Sequence, residues 1–246
     1  MNEKSVWLDS MSRCSDSLYR IICFPHAGAS SSFFREWNTE QFPRTEVYAV
    51  CYPGRAARIN EPLPLDIKKM AVEISAALIS ASNVPLVFFG HSMGAVVALE
   101  TAVILQAQGI ELMHLFVSGS RNGKLPPKVD LEEEDDDVIC KQLVQMGGTD
   151  PNIVSDPIFK ELIFPAIKAD GKMFNKYEMK LQLLLNCPIT AIYGDEDAHA
   201  DIRPWNQLTQ LGFNEICVLG DHFYLTSSPP FSILKGSLQL PTCISG

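Results

Sequence analysis

Gly90-His91-Ser92-Met93-Gly94 constrains this chain more than any other stretch. The pentapeptide fits G-x-S-x-G, a sharp turn from strand to helix with a serine at its apex. Its flanks supply both elements. Val84-Pro85-Leu86-Val87-Phe88-Phe89 is a short apolar run of the kind buried on both faces of a parallel sheet. Ala95-Val96-Val97-Ala98-Leu99-Glu100-Thr101-Ala102 reads as a helix. Such a turn holds Ser92 in a strained backbone conformation and exposes its hydroxyl above the carboxyl end of the strand. Glycine is expected at 90 and 94 because a side chain at either would collide with the adjoining strand or helix.

The rest of the chain repeats the alternation. Strands are predicted at Tyr19–Phe24, Glu46–Tyr52, Val84–Phe89, Met113–Ser118, Pro188–Tyr193 and Glu215–Leu219. Helical periodicity fits Asp66–Ser80, Met93–Gln108, Asp201–Leu211 and Phe231–Leu238. Alternating strands and helices imply a parallel, doubly wound sheet whose strands end along one ligand-binding edge. The rhythm breaks at about 121–186, which reads as an inserted helical lid within a single α/β domain spanning 1–246. The acidic run Glu132–Asp137 in this insertion reads as a solvated first helical turn, where acids complement the backbone dipole.

Composition narrows the function classes. A formal net charge of −9 argues against nucleic acid as a partner. No apolar run has membrane-spanning length and the first residues lack a signal-peptide core, so no membrane role is expected and the default compartment is the cytoplasm. Seven scattered cysteines suit reduced thiols, with Cys23, Cys51, Cys187 and Cys217 as small core residues. No Walker loop, GxGxxG or metal-ligand spacing occurs, so neither a metal nor a cofactor is expected. Nothing in the sequence demands more than a monomer.

A serine hydroxyl needs a base, and the base an orienting acid, here in the chain order Ser, acid, His. Of five histidines, His26 and His91 precede or adjoin the serine and His114 comes too early. His222, in the loop straight after the last predicted strand, can return over the sheet edge. His199 reads as an exposed loop residue. The acid should lie in Gly194-Asp195-Glu196-Asp197-Ala198-His199-Ala200-Asp201. Asp201 reads as the N-cap of the next helix, which leaves Asp195 and Asp197 in contest. The developing oxyanion needs two backbone donors. Met93 is one, and Pro25-His26-Ala27-Gly28-Ala29-Ser30 after the first predicted strand should supply the other.

Together these residues resemble the type II thioesterases, the stand-alone editing enzymes of polyketide and non-ribosomal peptide synthesis, and their relatives the medium-chain fatty-acid thioesterases. The resemblance is carried by Phe24-Pro25-His26-Ala27-Gly28 with Phe33, Phe34 and Trp37, and by Tyr52-Pro53-Gly54-Arg55 with Arg58, Glu61 and Pro62. Gly90-His91-Ser92-Met93-Gly94-Ala95, Gly147-Gly148-Thr149 and Gly220-Asp221-His222-Phe223-Tyr224-Leu225 complete it. Ala29 stands where a second glycine is common, and Asp221 where glycine is frequent.

The resemblance implies an α/β-hydrolase fold and a Ser92, Asp197, His222 triad, because Gly194-Asp195-Glu196-Asp197 with Trp205 fits the family's acid pattern. It implies Met93 and Ala27 as oxyanion donors, and His26, Gly28 and Phe223 beside the substrate. That substrate would be an acyl group on the phosphopantetheine arm of an acyl or peptidyl carrier protein, cleared when mis-primed or stalled. The alternatives are a medium-chain release thioesterase, a general carboxylesterase, or a carrier-binding subunit without catalysis. Met146, Phe159, Phe164, Met173 and Phe174 would line an acyl chamber or simply pack the lid. Arg55, Arg58, Lys68 and Lys69 are the candidates for a basic docking patch, against plain solvated surface.

Overall fold

The structure is a computed structural model and describes residues 6–79, 84–125, 135–180 and 184–238. Its centre is a seven-stranded sheet in the order β1-β3-β2-β4-β5-β7-β9. The strands are β1 (Leu8–Ser12), β2 (Tyr19–Phe24), β3 (Thr45–Val50), β4 (Leu86–His91), β5 (Leu112–Ser118), β7 (Ile189–Gly194) and β9 (Phe213–Val218). All pair in parallel except β1, which runs antiparallel to β3. Every residue of β2 and β4 is buried, as expected of central parallel strands covered on both faces.

Alternate residues of β2 feed two cores. Ile22 and Phe24 join Met70, Val97 and Trp205 on one face, while Ile21 and Cys23 join Phe34, Trp37, Phe42 and Leu234 on the other. The first face carries α1 (Ile67–Ile79) and α2 (Met93–Ala107); the second carries α5 (Phe231–Ser237). Helix α1 starts where the Asp66 carboxylate accepts the Lys69 N–H at 2.9 Å, and it buries Ile67, Met70, Ala71, Ile74 and Leu78 on one stripe. Helix α2 is buried nearly all round.

The strand order reverses direction between β2 and β4. Their loops therefore leave the sheet edge side by side, with Phe24 in register with Gly90. This register brings the Pro25–Ser30 loop against the turn at Ser92. Gly94 lies so close to the Phe24 and Pro25 carbonyls that any Cβ there would overlap them.

Three sequence expectations fail here. No helix spans Asp201–Leu211. Instead β6 (Ser120–Asn122) and β8 (Asp201–Arg203) pair as a small parallel sheet, followed by one short turn of helix at Trp205–Gln207. Pro204 is the physical reason, since proline pushes the residue before it out of the helical region. Asp201 is accordingly no N-cap; its carboxylate accepts from Arg203 Nε at 2.7 Å, both side chains being buried. Cys217 also departs from expectation: Cys23, Cys51 and Cys187 are buried, but Cys217 is exposed on the edge strand β9.

The insertion holds α3 (Asp136–Gln145), a wide helical turn at Phe159–Ile163 and α4 (Phe164–Asn175). Asp135 caps α3 through the Asp137 N–H, and Asp136 and Asp137 occupy its first turn, as expected of the acidic run. The remaining acids of that run, at 132–134, lie outside the described residues.

Candidate active site

Ser92 follows β4 and caps the start of α2 with φ 52° and ψ −122°, a conformation that non-glycine residues rarely adopt. Its N–H donates to the Ser118 carbonyl at 2.8 Å, which fixes the turn against the end of β5. A Cβ at Gly90 would overlap the backbone of Gly94 and Ala95, so glycine is required for the turn to close. Met93 is the first residue of α2, where backbone N–H groups have no acceptor within the helix. Ala27 lies in the turn closed by the Ala29 N–H on the His26 carbonyl at 3.1 Å.

His222 stands in the loop after β9 and is almost wholly buried. Its Nδ1 lies 2.8 Å from Asp197 Oδ2, and the Asp197 side chain has no solvent exposure. The other carboxylate oxygen accepts the His199 N–H at 2.9 Å, so both oxygens of Asp197 are engaged. Asp195 has a different task. Its Oδ1 accepts the Gly220 N–H at 2.8 Å and its own N–H donates to Val218, stapling the loop after β7 to the loop that carries His222. Geometry thus separates two carboxylates that local spacing leaves equivalent. His199 is exposed, as expected.

Three imidazoles run side by side. His91 packs 5.0 Å from His222 and 5.6 Å from His26, between ring centroids. His91 Nδ1 lies 3.0 Å from Ser118 Oγ, which in turn lies 2.7 Å from the Tyr224 hydroxyl. Sequence reasoning does not single out Ser118, because a serine at a strand end carries no local signal; Tyr224 enters it only as part of the run that carries the resemblance. Burial drives the His91 imidazole well below its usual pKa, with the neighbouring His222 and His26 adding to the effect. Burial, then the charges of His222 and Arg55, push His26 down to about 3. Neutral rings beside His222 avoid setting further positive charge against an imidazolium formed there.

His26 sits edge-on to Phe33 at 4.6 Å and to Phe223 at 4.9 Å, so it shares a wall with Phe223. Gly28 is differently placed: its N–H donates to Asp170 of α4 at 2.8 Å and is thereby committed within the protein. Asp221, flanking His222, accepts the Phe223 N–H at 2.7 Å. The insertion covers this loop directly, since a Cβ at Gly147 would overlap the Asp221 carboxylate and one at Gly148 the Phe223 ring.

The expected chamber residues are divided. Phe159, Phe164 and Met173 are buried, Met173 within the main core cluster. Phe174 packs on that cluster, with the Arg203 guanidinium 5.3 Å from its ring. Met146 is partly exposed. The proposed basic patch does not exist as a surface. Arg55 is buried against Asp170, and Arg58 is buried with donors to Glu61 and the Cys51 carbonyl, its guanidinium 4.1 Å from the Trp7 ring. Only Lys68 and Lys69 of the four keep appreciable exposure.

Among the described residues no cluster of His, Cys, Asp and Glu could hold a metal ion, and no helix is long and apolar enough to cross a membrane.

Residues 19–235 match the family described as "Thioesterase domain". The medium-chain S-acyl fatty acid synthase thioesterase of Rattus norvegicus is 35% identical over 241 residues, covering 95% of this chain and 91% of the relative. Thioesterase PikA5 of Streptomyces venezuelae is 34% identical over 228 residues, covering 91% and 81%. The type II thioesterase BorB of the borrelidin biosynthetic cluster superposes with a TM-score of 0.80 at 30% identity, covering 97% of this chain and 100% of its own. With its parallel sheet, its serine turn after β4 and these relatives, the chain belongs to the thioesterase family, as a type II member with the α/β-hydrolase fold that hydrolyses thioesters.

Proposed function

We propose that this thioesterase hydrolyses acyl groups from the phosphopantetheine arm of acyl or peptidyl carrier proteins, clearing mis-primed or stalled chains. Two observations carry the chemistry: the buried 2.8 Å hydrogen bond between His222 and Asp197, and a serine held at positive φ in the turn after β4. Carrier-borne substrates are supported by the names of relatives: the gramicidin S biosynthesis protein GrsT of Aneurinibacillus migulanus is 32% identical over 235 residues. The type II thioesterase YbtT, from a yersiniabactin NRPS/PKS pathway, has a TM-score of 0.79 at 27% identity.

In this reading Ser92 Oγ attacks the thioester carbon and its proton passes to His222 Nε2. Asp197 holds the tautomer that leaves Nε2 free and stabilises the imidazolium. The Met93 and Ala27 N–H groups receive the oxyanion. Collapse of the tetrahedral intermediate breaks the C–S bond, and the pantetheine thiolate leaves with the proton from His222. Water, deprotonated by His222, then attacks the acyl-serine, and the acid departs as Ser92 recovers its proton. These steps use only side chains, backbone and water, so the phosphopantetheine arrives with the substrate and the enzyme itself needs no cofactor. All the groups come from one chain, which suits a monomer. The insertion at about 121–186 acts as the lid over the acyl chain, meeting the site side at Gly28, Asp221 and Phe223. The setting is the cytoplasm, as the scattered thiols suggest.

The test is release of acid from an acylated carrier protein, beside the same acyl group on coenzyme A and on a simple oxygen ester. Preference for the carrier thioester, abolished in Ser92→Ala, is the expected result. Equal or faster turnover of the oxygen ester would replace this reading with a general esterase.

A further inference from the structure

Helix α4 carries an anomaly. Its buried stripe runs Ala166, Asp170, Met173, at helical spacing, with an aspartate in the middle. The Asp170 side chain has no solvent exposure, and a buried carboxylate persists as an anion only when fully partnered. Its partners come from two other loops. Arg55 Nη2 donates to Oδ1 at 2.9 Å and Arg55 Nη1 donates to Oδ2, a bidentate pair. Oδ2 also accepts the Gly28 N–H at 2.8 Å.

Around this carboxylate the loop after β2 is held at both ends. The Tyr52 hydroxyl donates to the Pro25 carbonyl at 3.2 Å, and the Arg55 guanidinium lies 5.4 Å from the Tyr52 ring. Arg55 Nη1 also reaches the Ala29 carbonyl at 3.4 Å. Gly28 has φ +78°, and Ile167 of α4 fills the space where its Cβ would stand. Ala27 is the residue in between, immediately next to the Gly28 N–H that Asp170 accepts. An oxyanion donor works only if it is already aimed when charge develops, within a few tenths of an ångström.

We propose that Asp170 and Arg55 are positioning residues for the oxyanion hole, and that through them α4 of the insertion sets the Ala27 N–H. This rests on the reading of Ala27 as an oxyanion donor. Asp170 touches no reacting atom. It acts by holding Gly28, and Arg55 acts by holding Asp170.

The experiment measures kcat and KM on octanoyl-N-acetylcysteamine, and the affinity of an octyl trifluoromethyl ketone, whose serine hemiketal places an oxyanion between the two donors. Three variants are compared with the unmutated enzyme: Asp170→Asn, Arg55→Lys, and the double Arg55→Met with Asp170→Leu. The double variant removes both charges, so it leaves none buried alone and should regain thermal stability over Asp170→Asn. Its kcat is nevertheless expected to stay down by about 10–100-fold with KM little changed, and the ketone should weaken in parallel. A merely structural pair would not tie ketone affinity to kcat. Folded variants with the kcat and ketone affinity of the unmutated enzyme would overturn the proposal. If the double variant does not fold, Asp170→Asn and Arg55→Lys, assayed at a temperature where circular dichroism finds them folded, decide by the same readouts. Ser92→Ala in the same assay separates the two readings. Activity that survives in it sinks the serine mechanism, whereas Ser92-dependent activity unmoved by the Asp170 and Arg55 variants sinks only the positioning role.

Discussion

The two described helices of the insertion differ in how they are attached. Helix α3 buries none of its ten residues. Helix α4 buries Phe164, Ala166, Asp170 and Met173 and reaches the main core through Met173. Among the described residues, one hydrogen bond between them joins Lys168 to Asp136, both well exposed. Desolvation makes the difference: contacts that exclude water hold α4 in place, whereas α3 is at most part-buried, as at Ile139, Cys140, Leu143 and Val144. An insertion of this build has a fixed half and a loosely held half. The fixed half abuts the Ala27 loop, and the Gly147-Gly148 segment after α3 covers the His222 loop.

The largest test of this contrast is Asp170→Ala. It leaves the Arg55 guanidinium buried without its carboxylate, and urea denaturation should record a loss of about 3–5 kcal/mol. A loss below about 1 kcal/mol would mean that water reaches Arg55 and that α4 is no firmer than α3. Next comes the apolar anchor. Met173→Ala should cost about 2–4 kcal/mol by opening a core cavity. The matching truncation on α3, Val138→Ala, should stay within about 0.5 kcal/mol because Val138 is already exposed. Equal losses from the two would erase the distinction.

Gly148→Ala addresses the segment between them. The added methyl meets the Phe223 ring, so either the segment lifts or Phe223 shifts beside His222. A fall in kcat of about tenfold, with melting temperature nearly unchanged, is expected from steady-state kinetics and a thermal scan. Unaltered kcat would mean that the segment does not press on the His222 loop during turnover. The smallest effect belongs to Asp136→Ala, which breaks the exposed pair with Lys168 and should change stability by about 0–1 kcal/mol in the same denaturation assay. A larger cost would show that α3 is held to α4 after all.

Local pattern made much of the framework legible. The predicted Tyr19–Phe24 strand is β2 to the residue, and the helix after Ser92 ends within one residue of its expected limit. Both are long, uninterrupted apolar patterns in which local preference and burial agree. Strand β1 was missed because Leu8-Asp9-Ser10-Met11-Ser12 has weak strand character and pairs only at the sheet edge. The periodicity at Asp201–Leu211 suggests a helix, but Pro204 restricts Arg203 to extended backbone and prevents one. Arginine is seldom buried unless paired, so the sequence places Arg55 and Arg58 at the surface. Arg58 finds its partners nearby, in Glu61 and Cys51, but Arg55 pairs with Asp170, 115 residues away, which chain order alone does not bring together.

By itself, then, the sequence determined the strand-turn-helix at Ser92, the alternating α/β order and the short set of loops from which partners for the serine can come. Those features are local: apolar period, glycine at close approach, and a backbone that few residues tolerate. Tertiary structure decided the rest. It decided that Asp197 meets His222 while Asp195 staples two loops, that His91 is held by Ser118 and Tyr224, and that an aspartate on the insertion's second helix closes on Arg55 and Gly28. Each of these is a bond across many residues of chain. Its partner is chosen by which loops the parallel sheet delivers to one edge, and by the high cost of leaving a buried charge or amide unmatched.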